Sequence, residues 1–278
     1  MSESAVPVVS VCIPAFRGAS HIAAAIESVL KQSHADFELL IIDDNSSDDT
    51  VAIVQRYRDP RIRLLQNPGN LGPQENWNRC LDQARGKYVK LLPQDDLLAS
   101  DCVEKQVAIL DQDSLQRIAL VFCSRTIVDN AGRHITTRSY SGAGTGIIAS
   151  KKLIRHCLRR GTNLIGEPGS VMFRRQLAHS VGRFDASIPY VLDLDYWFRL
   201  LLEGNAYYIA ENLASFRVSS NSWSVAIGAR QRIDFRRFIK KIAENKAFSA
   251  RYIDAISGNI MADINNYMRL IFYRLILK

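Results

Sequence analysis

The sequence predicts an α/β protein with a mostly parallel central sheet flanked by helices and a helical C-terminal extension. Three observations carry this expectation. Short β-branched apolar runs alternate with helical periodicities from residue 8 to residue 123. Several of those runs stop at a proline or an aspartate, as strands opening onto a rim do, and the chain after Ser222 is basic, amphipathic and free of strand signals. Strands and helices alternating in this way pair in parallel, because each crossover packs a helix back onto the sheet.

Val8 to Ile13 is an apolar run stopped by Pro14, the pattern of a strand buried on both faces. Ile22, Ile26, Val29 and Leu30 then recur at helical spacing. Phe37 to Ile42 predicts a second strand, Asp48 to Tyr57 a second helix and Arg61 to Leu65 a third strand. Gly69-Asn70-Leu71-Gly72 is turn chemistry, and Pro73 suits a helix start because its missing N–H is not needed there; that helix runs to about Ala84. Gly86 closes it, and Tyr88 to Leu92 predicts a fourth strand. Asp101 with Glu104 reads as a capping box ahead of Val103, Val107 and Leu110, and Ile118 to Cys123 reads as a fifth strand. Past residue 130 the alternation weakens: Gly142 to Gly146 reads as a loop, Gly169 to Arg174 as a strand and Asp193 to Glu203 as a helix. Residues 1–220 are expected to form one catalytic unit, and residues 221–278 a basic helical segment acting as a lid, a dimer contact or a membrane-surface contact.

A composition of 47% hydrophobic and 23% charged residues over 278 positions is that of a globular chain with a full core, which excludes a disordered or low-complexity protein. The formal charge of +8 favours anionic partners without choosing among them. Five cysteines, odd in number and without a Cys-x-x-Cys pair, read as reduced buried thiols of a cytoplasmic protein. The first residues lack the basic and apolar regions of a signal peptide, and no apolar span reaches membrane length.

Chemistry concentrates at three acidic sites. Asp43-Asp44-Asn45 ends the second strand; part of that acidity serves the following helix start, but two adjacent like charges at a strand tip also suit a base N–H or ribose hydroxyl. Asp95-Asp96 follows the fourth strand, where paired carboxylates suit a hard divalent cation that clamps a diphosphate, or else form an acidic surface turn. Asp193 lies between Leu192 and Leu194, an apolar setting that raises a carboxyl pKa toward that of a working base, whereas Asp195 is read as a helix N-terminal acid. Strand ends in such sheets open on one rim, where ligands bind.

Taken in order, these stretches resemble family 2 glycosyltransferases with the GT-A fold. The likeness runs through Val9 to Phe16, Phe37 to Thr50, Asn67 to Gly72, Ala84 to Tyr88, Gln94-Asp95-Asp96, Gly166 to Arg175, Val181 to Asp185 and Asp193 to Leu200, covering about residues 8–220. The resemblance implies inverting transfer of a sugar from a nucleotide-diphospho-sugar donor to an acceptor hydroxyl, in synthesis of a cell-surface polysaccharide, lipopolysaccharide or other glycoconjugate. It implies that Asp44 contacts the nucleoside base, with Pro14 and Ala15 lining the same pocket. It makes Asp95 a donor contact near the ribose, Asp96 the ligand of Mn²⁺ or Mg²⁺, and Asp193 the catalytic base. Two departures stand out: Pro93 where the family often has an Asp, and Leu192 where it often has Glu.

Competing readings are a nucleotidyltransferase of related α/β fold, which would want a glycine-rich basic loop that Pro14 to Gly18 does not supply, and a catalytically silent sugar-nucleotide-binding module. Nucleic acid is not an expected partner, since acidic strand ends repel a phosphate backbone. A saccharide or lipid-linked acceptor is expected, chosen by the stretches Ser139 to Gly146 and Thr162 to Glu167. In the C-terminal segment Phe235, Phe238, Ile239 and Ile242 share a helix face among eight basic residues, and Ile260, Ile264, Tyr267, Met268 and Ile271 share another. That pattern suits peripheral contact with the inner face of a membrane, a homodimer contact or a lid.

Overall fold

The computed structural model describes residues 6–219, 228 and 230–276. Ten strands form one sheet: β1 (Val9–Ala15), β2 (Phe37–Asp43), β3 (Ile62–Gln66), β4 (Tyr88–Leu91), β5 (Leu97–Leu98), β6 (Ile118–Val128), β7 (His134–Arg138), β8 (Gly146–Ile148), β9 (Val171–Arg174) and β10 (Asn205–Arg217). Its order is β3-β2-β1-β4-β9-β6-β10-β5, with β7 beside β6 and β8 beside β10. β3, β2, β1 and β4 are parallel, β9 runs against both β4 and β6, and β10 is parallel to β6. Hence β1, β2, β3, β4, β6 and β10 all point one way, and their C-terminal ends share one rim.

Period-two alternation divides the core between the two sheet faces. Val9, Val11, Ile13, Leu39 and Ile41 pack on one face with α1 (Ile22–Leu30) and α4 (Cys102–Gln112). Cys12, Leu40, Ile42, Val89 and Leu91 pack on the other with α3 (Pro73–Gln83), α5 (Ser150–Arg160) and α7 (Leu192–Glu203). Two short helices, α2 (Thr50–Val54) and α6 (Arg175–Val181), fill the connections. At the C-terminus α8 (Arg230–Glu244) contributes Phe235, Phe238, Ile239 and Ile242 to the same buried cluster as Trp197 and Phe198. The last helix, α9 (Tyr252–Ile276), lies against both α5 and α8. All five cysteines are free and buried, and among the described residues no helix is long and apolar enough to cross a membrane.

Several elements differ from the sequence expectation for local reasons. α2 spans only Thr50–Val54 rather than Asp48 to Tyr57, because Asp48 accepts from Thr50 N and Oγ1 and stays outside the helix. No capping box forms at α4: Asp101 makes no cap bond and pairs with Lys105 at 2.7 Å, while Glu104 accepts from Ser33 Oγ of the neighbouring segment. β6 continues past Cys123 through buried Ser124 and Arg125, polar residues that hide a strand from an apolar-run reading. β10 escapes that reading too, since its pairing with β6 shifts register between Ile209 and Asn212, around the exposed Glu211.

α5 and α9 cross at glycines. Gly161 ends α5 in the left-handed region at φ +56°, and a Cβ there would stand 2.5 Å from Ala262 N. A Cβ on Gly258 would stand 2.3 Å from the Leu158 carbonyl oxygen. Gly258→Ala is therefore expected to lever α9 away from α5 and cost about 1–3 kcal/mol in a urea melt, the range for overpacked sites. Gly144→Ala, with open space around it, should melt as the parent chain does.

Candidate active site

The turn after β4 brings the acidic pair onto the rim. Gln94 fastens it to the tip of β1, its Oε1 accepting from Phe16 N at 2.9 Å and its Nε2 donating to Phe16 O at 2.8 Å. Arg217, at the end of β10, clamps it from the other side: its backbone N–H donates to Asp96 Oδ1 at 2.9 Å and its Nε to Asp95 O at 3.0 Å. The Arg217 Nη1 donates to the carbonyls of Asp129 and Asn130, so one guanidinium ties three segments together. Asp96 is 2% exposed, and burial, then the charges of Asp95 and Glu167, push its carboxyl well above the usual range. Burial also raises Asp95.

Asp193 sits in the first turn of α7, where a carboxylate is favoured. Its Oδ1 accepts from Leu194 N at 2.7 Å and its Oδ2 from Asn163 Nδ2 at 3.0 Å. Asn163 is itself fixed, its Oδ1 accepting from the amides of Ile165 and Gly166. Burial first, and the charge of Glu167 second, push Asp193 up to about 7. Glu167 goes the other way: burial would raise it, but Arg125, bonded to it through Nε, and Arg138 hold it below the usual carboxylate value.

Asp95, Glu167 and Asp193 line one cavity of about 770 Å³, together with Arg125, Arg138, Arg160, Arg217 and Arg269 and the aromatic rings of Trp77, Tyr190, Phe216, Phe235, Phe272 and Tyr273. Asp96 lies next to Asp95 but outside the lining. Pro14, Ala15 and Asp44 also lie outside it, at the tips of β1 and β2, where Asp44 N donates to Ala15 O at 2.7 Å. The Asp44 carboxylate is 2% exposed: Oδ1 accepts from Asn67 Nδ2 and Leu71 N, and Oδ2 from Gly72 N. It thereby shapes the loop leading into α3. The predicted residues thus share one rim, but only Asp95 and Asp193 face the same hollow.

Sequence reading missed Arg125, Arg138, Arg217 and Arg269 as site residues, and it took Glu167 only within the resemblance stretch Gly166 to Arg175 and the specificity stretch Thr162 to Glu167, without a role of its own. The first four lie on strands not read that far or on α9, and nothing local marks an arginine as facing a cavity. Glu167 carried a readable signal, an acid within the glycine- and proline-flanked run Gly166 to Ser170.

Asp95 and Asp96 on the acidic turn are the candidate donors for a divalent cation. Among the described residues no group of three or more His, Cys, Asp or Glu side chains forms a metal cage. Two adjacent carboxylates with raised proton affinity nonetheless fit a hard cation of the Mg²⁺ type, which is held by one or two carboxylates and completes its shell from substrate phosphate and water.

β9 thus runs against its neighbours β4 and β6, the acidic turn sits at the tip of β4, and Asp193 on the later helix α7 faces one cavity with Asp95. The sequence profile of glycosyl transferase family 2 matches residues 10–182, and the chain belongs to that family. It is a glycosyltransferase. Among its relatives is WfgD of Escherichia coli, a UDP-Glc:α-D-GlcNAc-diphosphoundecaprenol β-1,3-glucosyltransferase, 29% identical over 202 residues that cover 71% of each chain. Residues 1–349 of TarS from S. aureus, solved with UDP-GlcNAc, superpose with a TM-score of 0.69 at 20% identity, covering 97% of this chain and 76% of that one. The mannosyltransferase PcManGT of Pyrobaculum calidifontis, solved with GDP-Man and Mn²⁺, superposes with a TM-score of 0.63 at 17% identity, covering 94% and 70%.

A group pushed up to about 7 acts as a base only above that pH, so kcat/KM should rise with pH toward a plateau past neutrality. Glu167→Gln removes a negative charge that raises Asp193, so the rising limb should move to lower pH. A pH–rate profile of the two proteins checks this; a limb that stays in place shows that the titrating group is not Asp193.

Proposed function

We propose that the chain transfers a sugar from a nucleoside-diphosphate sugar to an acceptor hydroxyl with inversion, in the assembly of a cell-surface polysaccharide, lipopolysaccharide or related glycoconjugate. The observation carrying this reading is Asp193: a helix-start carboxyl pushed up to about 7, fixed by Asn163, and sharing its cavity with Asp95 and several guanidinium groups. In this role Asp193 takes the acceptor proton while the hydroxyl oxygen attacks the anomeric carbon from the face opposite the diphosphate, through an oxocarbenium-like transition state. The bond to the diphosphate breaks as the glycosidic bond forms. Glu167 is the weaker base, because Arg125 and Arg138 hold its proton affinity below the usual carboxylate value and Arg125 is bonded to it.

On this reading Pro14, Ala15 and Asp44 serve the nucleoside. Among the described residues Asp44 Oδ2 accepts from Gly72 N, and its second acceptor position would take a base N–H. Asp95 lies toward the ribose. Mn²⁺ or Mg²⁺ held by Asp95 and Asp96 would neutralise charge on the leaving diphosphate. UDP-GlcNAc bound to TarS and GDP-Man with Mn²⁺ bound to PcManGT support this class of donor and cation.

The acceptor on this reading is lipid-linked, as the name of WfgD gives for that enzyme, and the chain meets it at a membrane surface. Ile253, Ile256, Ile260, Ile264, Tyr267 and Ile271 recur three or four residues apart and stay exposed along α9, Ile260 at 57% and Tyr267 at 66%. The helices on either side are basic and exposed at Lys151, Lys152 and Arg159 on α5 and at Arg232, Arg237 and Lys240 on α8. An apolar ridge between basic flanks suits an anionic leaflet.

Two outcomes are expected. Asp193→Asn should lose about 10²–10⁴-fold in turnover while a thermal-shift assay still registers the donor, since general-base catalysis has that magnitude; near-normal turnover would remove Asp193 from the role. The parent chain should float with anionic vesicles but not neutral ones, and Ile260→Asp with Ile264→Asp should abolish flotation. A parent chain that is dimeric without lipid, and that the same pair of changes makes monomeric, reassigns the ridge to a homodimer.

A further inference from the structure

The arginines lining the cavity differ in what holds them. Arg125 is bonded to Glu167, and Arg217 gives its N–H groups to main-chain carbonyls on the acidic turn and beyond. Arg269, from α9, meets only neutral oxygens among the described residues: the Tyr190 hydroxyl, Gln231 Oε1 at 2.7 Å and Thr162 Oγ1 at 3.3 Å. Arg138, at the end of β7, has no carboxylate within ion-pair distance among the described residues; the charge of Glu167, itself bonded to Arg125, acts on it from further off, and the charges of Arg125 and Arg269 oppose that. With Arg160 also in the lining, the cavity holds five guanidinium groups against the carboxylates of Asp95, Glu167 and Asp193, and Arg138 and Arg269, neither of them in a direct ion pair among the described residues, suit an anion that accepts charge-assisted hydrogen bonds from both.

Their position tells which substrate they serve. Asp95 enters the cavity from the tip of β4, whereas Arg269 enters from the helical wall and contacts the segments that hold Asp193. Thr162, one of its partners, adjoins Asn163, and Tyr190, another, lies one helical turn before Asp193. From Arg269 the wall continues along α9 as Met268, Phe272 and Tyr273, an apolar strip on the helix that carries the exposed isoleucines.

We infer that Arg138 and Arg269 form an acceptor-side anion subsite for a phosphate or pyrophosphate group borne by the acceptor, with the α9 strip accommodating an apolar group beyond it. This rests on the assignment of Asp193 as base, because the base distinguishes the acceptor side from the donor side. The subsite gives the cavity a means of choosing acceptors by their charge, separate from the cation and acidic turn that serve the donor.

The test uses inorganic pyrophosphate and farnesyl pyrophosphate as probes, with binding read by thermal shift in the presence of saturating UDP or GDP. Both probes should stabilise the nucleotide-loaded chain. Arg138→Gln should weaken their binding about tenfold or more, the loss expected when a charge-assisted hydrogen bond goes, while nucleotide affinity stays unchanged. Arg269 also ties α9 to Tyr190, so Arg269→Lys, which keeps the charge, accompanies Arg269→Gln and should restore part of the binding. Tighter binding of farnesyl pyrophosphate identifies a lipid-linked source, and equal binding a water-soluble phosphorylated acceptor; either result keeps the subsite. Displacement of the probes by nucleotide, weaker nucleotide binding in Arg138→Gln, or failure of both probes to bind overturns the inference. Failure of UDP, GDP and their sugars to bind overturns the transferase reading instead, and the probe measurements in the absence of nucleotide still decide the subsite.

Discussion

Asp95, Asp96, Glu167 and Asp193 are withdrawn from water, and that burial, to which the charge of Glu167 adds at Asp96 and Asp193, is the constraint around which the site is built. Water would screen four exposed carboxylates, but half-buried and buried ones interact strongly. The protein answers in three ways. Glu167 is kept charged by Arg125 and Arg138, Asp96 is hydrogen-bonded by the amide of Arg217, and Asp193 is left with neutral donors and a raised affinity for protons. Only the last of these suits a group that must take up a proton and give it back.

The same constraint explains why the rim is so heavily cross-tied. Gln94 joins the β4 turn to the β1 tip, Asp44 gathers the amides of the loop into α3, and Arg217 binds the acidic turn to the end of β10. Each tie runs between elements far apart in sequence, so the carboxylates cannot drift out into water. Positioning a reacting group to a fraction of an ångström depends on supports of this kind.

The parallel half of the fold was legible because a buried strand leaves a continuous apolar run and its helix a 3.6-residue period. Val9 to Ala15, Phe37 to Asp43 and Tyr88 to Leu91 needed no tertiary information. β10 did, since Glu211 and Asn212 break its pattern where the pairing with β6 shifts register, and so did β6 beyond Ser124, whose polar side chains are satisfied only by Tyr208 and Glu167 across the fold. Within the site, Asp193 announced itself through its leucine neighbours, and burial does raise its pKa. Arg138 and Arg269 could not, because an arginine looks the same in sequence whether it meets solvent or a substrate. The expected capping box at Asp101 shows the converse: a local motif was present, and Lys105 and Ser33 offered its side chains better partners.

The reversed direction of β9 has a consequence for which stretch reaches the cavity. In a purely parallel sheet only the segments that follow strands reach the reactive edge, and those that precede strands emerge underneath. Running β9 backwards delivers the stretch before it, Asn163 to Ser170, to the top, beside segments that follow the forward strands. Asn163 there holds Asp193, and Glu167 acts on Asp193 and Asp96 together, so a change in this stretch reaches both ends of the cavity while the ladder behind it stays in place.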